Sequence, residues 1–180
     1  GNIYFQSQPT GVYALDKDGH SLWNYNPNAY WPGGDCVGRI AIGADRTVYA
    51  SHGGGELHAI DANGNGKWIS RNAGSPPAIA ADGTIFSIGP ASAPYYLWAL
   101  NPTDGSPKLQ SSEPIVGYSW PPIIGNNGDI YLSGNGRMDA FSSDGTKLWE
   151  FQHGDNVVSH PVIGLGGIIY LYTILAADHG

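Results

Sequence analysis

The chain is 180 residues long, 41% hydrophobic and only 13% charged, so it is long enough to bury a core and too apolar for disorder driven by charge. Its formal net charge is −7 and its Lys and Arg are scattered singly, which excludes nucleic acid as an expected partner and offers no polybasic membrane anchor. No apolar run approaches the roughly 18 residues that span a bilayer, and the single cysteine, Cys36, excludes an internal disulfide and a CxxC zinc or redox motif.

The 27 glycines, 13 prolines, 11 tyrosines and 6 tryptophans favour short strands joined by tight turns over long helices. The chain opens on the strand-like Gly1-Asn2-Ile3-Tyr4-Phe5 with no initiator Met or signal peptide, as expected of an excised or processed segment. Ile3-Tyr4 is followed by a second strand, Tyr13-Ala14-Leu15-Asp16, an Asp18-Gly19 turn and a strand carrying Trp23. The same series then recurs. Val48-Tyr49 leads to His58-Ala59-Ile60-Asp61, the Asn63-Gly64 turn and Trp68. Ile85-Phe86 leads to Trp98-Ala99-Leu100-Asn101, Asp104-Gly105 and Leu109, and Ile130-Tyr131 to Asp139-Ala140-Phe141-Ser142, Asp144-Gly145 and Trp149. Ile169-Tyr170 opens a fifth, weaker unit with Leu175-Ala176-Ala177-Asp178.

The units run approximately over 1–31, 32–74, 75–119, 120–159 and a partial 160–180, within one domain. From the second unit on, each begins with a proline-led apolar strand such as Pro76-Pro77-Ala78-Ile79-Ala80. Asp82-Gly83 and Asn127-Gly128 then mark a hairpin, since tight hairpins need positive φ at their centre. Four strands per unit at a period near 40 predict an all-β propeller of four-stranded antiparallel blades, because a lone blade cannot bury both faces. The expected count is about four to five blades, either an incomplete arc or a segment of a larger propeller.

The series resembles the repeat of the pyrroloquinoline quinone enzymes, most closely in Asp82-Gly83-Thr84-Ile85-Phe86 and in the run from Val12 to Trp23. The resemblance implies a quinoprotein-like propeller and a periplasmic, secreted or cell-surface location. It does not specify an activity, because the repeat is shared by catalytic and non-catalytic proteins.

No GxSxG elbow, HExxH, P-loop or GxGxxG before a helix is present. The six histidines lack ligand spacing; His52 and His58 flank one strand pair and read as loop residues. Asp61-Ala62-Asn63-Gly64-Asn65-Gly66 echoes the start of a calcium loop, but Asn72 stands where an EF-hand needs its bidentate Glu, so turn chemistry accounts for it and for Asp16-Lys17-Asp18-Gly19. Trp23, Trp68 and Trp149 sit at a fixed place after each turn and read as packing between blades rather than as a sugar platform. The residues before each leading proline differ from blade to blade: Trp31, Ser75, Trp120 and His160. With Tyr30, Asp35 and Tyr118 they are expected to converge at the channel mouth as a ligand-binding surface.

The function expected from these features is a non-catalytic binding or scaffold module, for which no cofactor is expected. Its partner is a protein, or a second copy joined through open blade edges. One alternative is a fragment of a quinone-dependent dehydrogenase holding pyrroloquinoline quinone and calcium. The other is a lectin-like carbohydrate-binding propeller using Trp31, Trp120 and Tyr118.

Overall fold

Strands carry the chain, as its turn-rich and aromatic composition dictates. The computed structural model describes residues 1–7, 11–27, 40–52, 55–90, 92–116, 120–134, 136–152, 156–157 and 160–174. The first sheet has three strands in the order β1 (Ile3–Ser7), β2 (Gly11–Leu15) and β3 (Ser21–Tyr25). Three antiparallel four-stranded sheets follow. They are β4 (Ile40–Ile42), β5 (Val48–His52), β6 (Glu56–Ile60), β7 (Gly66–Ser70); β8 (Ala78–Ile79), β9 (Ile85–Gly89), β10 (Tyr96–Leu100), β11 (Pro107–Gln110); and β12 (Ile123–Ile124), β13 (Ile130–Gly134), β14 (Arg137–Phe141), β15 (Lys147–Gln152). Each keeps sequence order from inner to outer strand. Beyond them β16 (Asn156–Val157) pairs with β19 (Thr173–Ile174), and β17 (Val162–Ile163) pairs with β18 (Ile169–Tyr170). No sheet closes on itself among the described residues, so the propeller is incomplete.

The alanine that centres each repeat has a geometric cause. Tyr4 pairs with Ala14 and Ala14 with Trp23; Tyr49, Ala59 and Trp68 repeat the row, as do Tyr131, Ala140 and Trp149. Large rings on the two flanking strands lean together over a methyl group, with centroids 5.8, 5.7 and 5.8 Å apart at 43°, 40° and 38°. A larger residue between them would drive the rings apart. Phe86, Ala99 and Leu109 fill the same row in the third full repeat.

Immediately after each alanine the register slips by one residue, leaving Leu22, Lys67, Lys108 and Leu148 as bulges on the outer strand. A bulge re-aims its side chain. Lys67 Nζ thereby reaches Thr47 Oγ1 at 2.9 Å and Asp45 at 3.3 Å, and Lys108 Nζ reaches Thr84 Oγ1 at 2.5 Å. Both lysines clamp the outer strand to the first hairpin turn of their own blade.

Between blades the outer-strand tryptophan is the principal connector. Trp23 Nε1 donates to the Ala62 carbonyl and Trp68 Nε1 to the Pro102 carbonyl, each at 3.0 Å and each in the outer turn of the next blade. The ring lies flat against the glycine of that turn: a Cβ on Gly64 would stand 2.7 Å from Trp23, and one on Gly105 would stand 2.5 Å from Trp68. Both glycines also hold positive φ, +88° and +72°, where other residues are strained. Inside this contact lie apolar layers shared by two sheets, such as Val12, Tyr25, Val48, Ala50 and Ile60 between the first two blades.

The first turn of the second blade departs from the repeat. Where other blades place Gly83 or Gly128, this turn has Arg46 at φ 66°. A left-handed L residue costs about 1 kcal/mol, partly offset by the greater unfolded-state freedom of glycine. Arg46→Gly should therefore stabilise the chain by roughly 0.5 kcal/mol and raise Tm by about 1–2 °C, read by calorimetry.

Candidate functional site

Trp120 and His160 each precede the proline that opens an innermost strand, Pro121 before β12 and Pro161 before β17. The residue before proline is held extended, and proline fits an edge strand because no N–H is needed there. This local geometry turns both side chains to the same rim. Their ring centroids are 4.5 Å apart at 56°, and both rings are half-buried. The pair forms an aromatic surface with an indole and an imidazole on adjacent blades.

Ser75 occupies the corresponding position before β8 but turns into its own blade. Its Oγ accepts from Ile88 N at 2.7 Å and lies 3.1 Å from Ser87 Oγ, while Ser87 Oγ donates to the Ser75 carbonyl at 2.7 Å. Ser75 is buried and ties the interblade linker to β9. Tyr30, Trp31, Asp35 and Tyr118 lie outside the described residues, as does Cys36. Of the expected set, the structure thus brings together Trp120 and His160.

His58, read from sequence as a loop histidine, is fully buried on β6 and faces the first blade. It hydrogen-bonds with Tyr25 OH at 3.1 Å through Nδ1 and approaches Glu56 Oε2 at 3.3 Å through Nε2; Glu56 Oε1 pairs with Arg71 at 2.9 Å. Burial and the nearby Glu56 raise the Tyr25 pKa. The same two strand positions in β14 hold Arg137 and Asp139. Buried Asp139 takes Arg137 Nη2 at 2.6 Å and Lys147 Nζ at 3.2 Å, and Glu150 takes Lys147 at 2.6 Å. Sequence reading missed both clusters. Their signal is the i, i+2 spacing in Glu56-x-His58 and Arg137-x-Asp139, which puts both side chains on one face of a strand.

The acidic turns hold their oxygens internally. Asp61 Oδ1 accepts from Asn63 N at 2.9 Å and Asn65 N at 2.8 Å, and Asp16 Oδ1 accepts from Asp18 N and His20 N at 2.9 Å each. Asp16, Asp18 and His20 come within 4.8 Å of one another, but Asp18 is paired with Lys17 at 2.7 Å and the His20 ring with Asp16 at 3.0 Å. These groups serve the turn. A calcium ion takes oxygen ligands, whereas Trp120 and His160 offer an indole N–H and an imidazole; the described residues of the mouth do not suit a quinone seated on calcium.

Carboxylates fastened in this way confer acid sensitivity. Hydrogen bonds from Gln152 and Lys147 pull the Glu150 pKa down to about 2. Backbone and side-chain donors of His20 lower Asp16, and the Asn65 side chain and backbone lower Asp61. A depressed folded-state pKa contributes stability above the unfolded value, near 4, that is lost as pH falls through the folded value. Urea midpoints should therefore fall between about pH 4 and pH 2, and Glu150→Gln should flatten that decline.

Antiparallel four-stranded blades, docked by an outer-strand aromatic on the next blade's glycine turn, define a propeller-type repeat protein. The chain belongs to the family of the outer membrane protein assembly factor BamB, whose profile matches residues 1–111. Among solved structures it is similar to BamB from Moraxella catarrhalis, with 16% identity and a TM-score of 0.66 over 95% of this chain and 57% of that one. A protein of unknown function from Bacteroides caccae is 15% identical, with a TM-score of 0.63 over 99% of this chain and 69% of that one. A europium-containing methanol dehydrogenase is 14% identical, with a TM-score of 0.69 over 91% and 43%. At these identities the likeness is one of fold, and this chain spans little more than half the length of the Moraxella protein. No curated protein sequence matches it significantly. The expected pyrroloquinoline quinone-like repeat family and propeller fold are thereby confirmed.

Proposed function

We propose that the chain is a non-catalytic binding module of a periplasmic, secreted or surface propeller protein, acting as one domain that presents its rim to a protein partner. Membership of the BamB family over residues 1–111 carries this reading. Its described polar clusters support it, because they are spent on holding blades together: the Tyr25–His58–Glu56 chain joins the first two blades, and Arg137, Asp139 and Lys147 neutralise one another. What faces outward at the mouth is the Trp120–His160 pair, an aromatic anchor of the kind that dominates protein interfaces. Tyr30, Trp31, Asp35 and Tyr118 extend the proposed surface, with Ser75 supporting the linker beside it.

The partner proposed by family membership is a component of an outer membrane protein assembly apparatus. Titration of the chain with the soluble part of that apparatus should give saturable binding, weakened about tenfold or more by Trp120→Ala with the thermal transition retained. Binding unchanged in Trp120→Ala and His160→Ala would remove the mouth from the account. Saturable binding of a sugar would support the lectin-like alternative instead. Quenching of tryptophan fluorescence by pyrroloquinoline quinone with calcium, together with dye reduction, would overturn the non-catalytic reading in favour of a dehydrogenase fragment.

A further inference from the structure

The docking of tryptophan on a glycine turn has two halves, and the chain carries one unfilled copy of each. The turn Asp16-Lys17-Asp18-Gly19 of the first blade has the same construction as Asp61-Ala62-Asn63-Gly64: the leading aspartate accepts from the backbone two and four residues on, and glycine holds a φ of +85° against +88°. Gly64 is covered by Trp23, Gly105 by Trp68 and Gly145 by Leu109. Nothing stands within 4 Å of the Cβ position of Gly19. It is a socket without its plug.

Trp149 is the converse. It tilts on Tyr131 at 5.8 Å and 38°, the geometry Trp23 and Trp68 adopt when docked, yet it is 42% exposed and its Nε1 has no hydrogen-bond acceptor among the described residues. The sheet faces around the two halves agree. Ile3 and Phe5 of β1 are 51% and 40% exposed, whereas Val48 and Ala50, at the same register in β5, are completely buried against the preceding blade.

We infer that a second copy of this chain docks head to tail, with Trp149 of one copy against the Gly19 turn of the next and its Nε1 donating to the Lys17 carbonyl, the counterpart of Ala62. The contact is heterologous, so it continues as a closed ring or an open series. It continues the interblade interface already present within the chain and does not depend on the ligand-binding role proposed for the mouth.

The two halves can be disabled separately. Trp149→Ala removes the plug and leaves the socket; Gly19→Asn keeps a residue that tolerates positive φ but places a Cβ where the indole must lie. Sedimentation equilibrium of the 180-residue chain should show a mass that rises with concentration, and each variant alone should associate at least about tenfold more weakly. Mixing the variants should restore a one-to-one dimer, since one intact plug then meets one intact socket. Should Trp149→Ala fail to fold, Gly19→Asn, at an exposed turn, tests the same contact when mixed with wild type, where it should cap growth rather than join as an equal subunit. A wild-type chain that stays monomeric at millimolar concentration, association indifferent to Gly19→Asn, or a mixture that remains monomeric would each overturn the inference.

Discussion

An indole laid against a glycine turn is the contact on which the rest of this molecule depends. A single β-sheet of four short strands has two faces to bury and supplies only one partner for each. Stacking blades solves this, but flat sheets facing one another have no intrinsic register, and apolar layers such as Val12, Val48 and Ile60 are content with many small displacements. The Trp23 and Trp68 N–H bonds to a single carbonyl remove that freedom, because a hydrogen bond tolerates little change in distance or angle. The glycine beneath makes room for the ring, the alanine beside it lets tyrosine lean on the same ring, and the bulge that follows sends the next side chain away. One row of each repeat thus holds together its hairpin, its sheet and its neighbour.

That arrangement leaves particular positions open to change. Once the aromatic row fixes how blades meet, the inner strand positions facing the preceding blade need only be filled and satisfied. They hold His58 with Glu56 in one blade and Asp139 with Arg137 in another, each meeting its neighbours through paired polar groups. Such networks contribute less to stability than apolar packing of the same volume, and they penalise misaligned blades heavily because a broken pair is left buried. The rim is freer still, and it is there that Trp120 and His160 differ from the serine at the matching place.

Much of the fold was legible because the repeat states it several times. The paired Ile/Val and aromatic residues, the Asp-Gly and Asn-Gly turns and the outer-strand tryptophans all became the strands, turns and connectors expected of them. The turn at Arg46 was not flagged, since it lacks the glycine that announces the others and takes its left-handed conformation from context. The bulges at Lys67 and Lys108 were also hidden, because a slip of one residue depends on pairing with a neighbouring strand. For the candidate site, local sequence placed Trp120 and His160 at equivalent points on adjacent blades, and their contact followed. Ser75 carries the same local signal, but its hydroxyl is claimed by Ser87 and Ile88, twelve and thirteen residues away, and spacing alone does not reveal that.

The most direct test is a double-mutant cycle between plug and socket within one chain. Gly105→Ala introduces a Cβ against Trp68, and Trp68→Leu substitutes the smaller residue that the next blade uses naturally at Leu109 over Gly145. If the ring's seat on the turn organises the stacking, equilibrium unfolding should show the two changes coupled by more than about 1 kcal/mol, with Gly105→Ala costing much less once the indole is gone. Strictly additive losses would contradict the account and assign the order of the blades to the apolar layers alone.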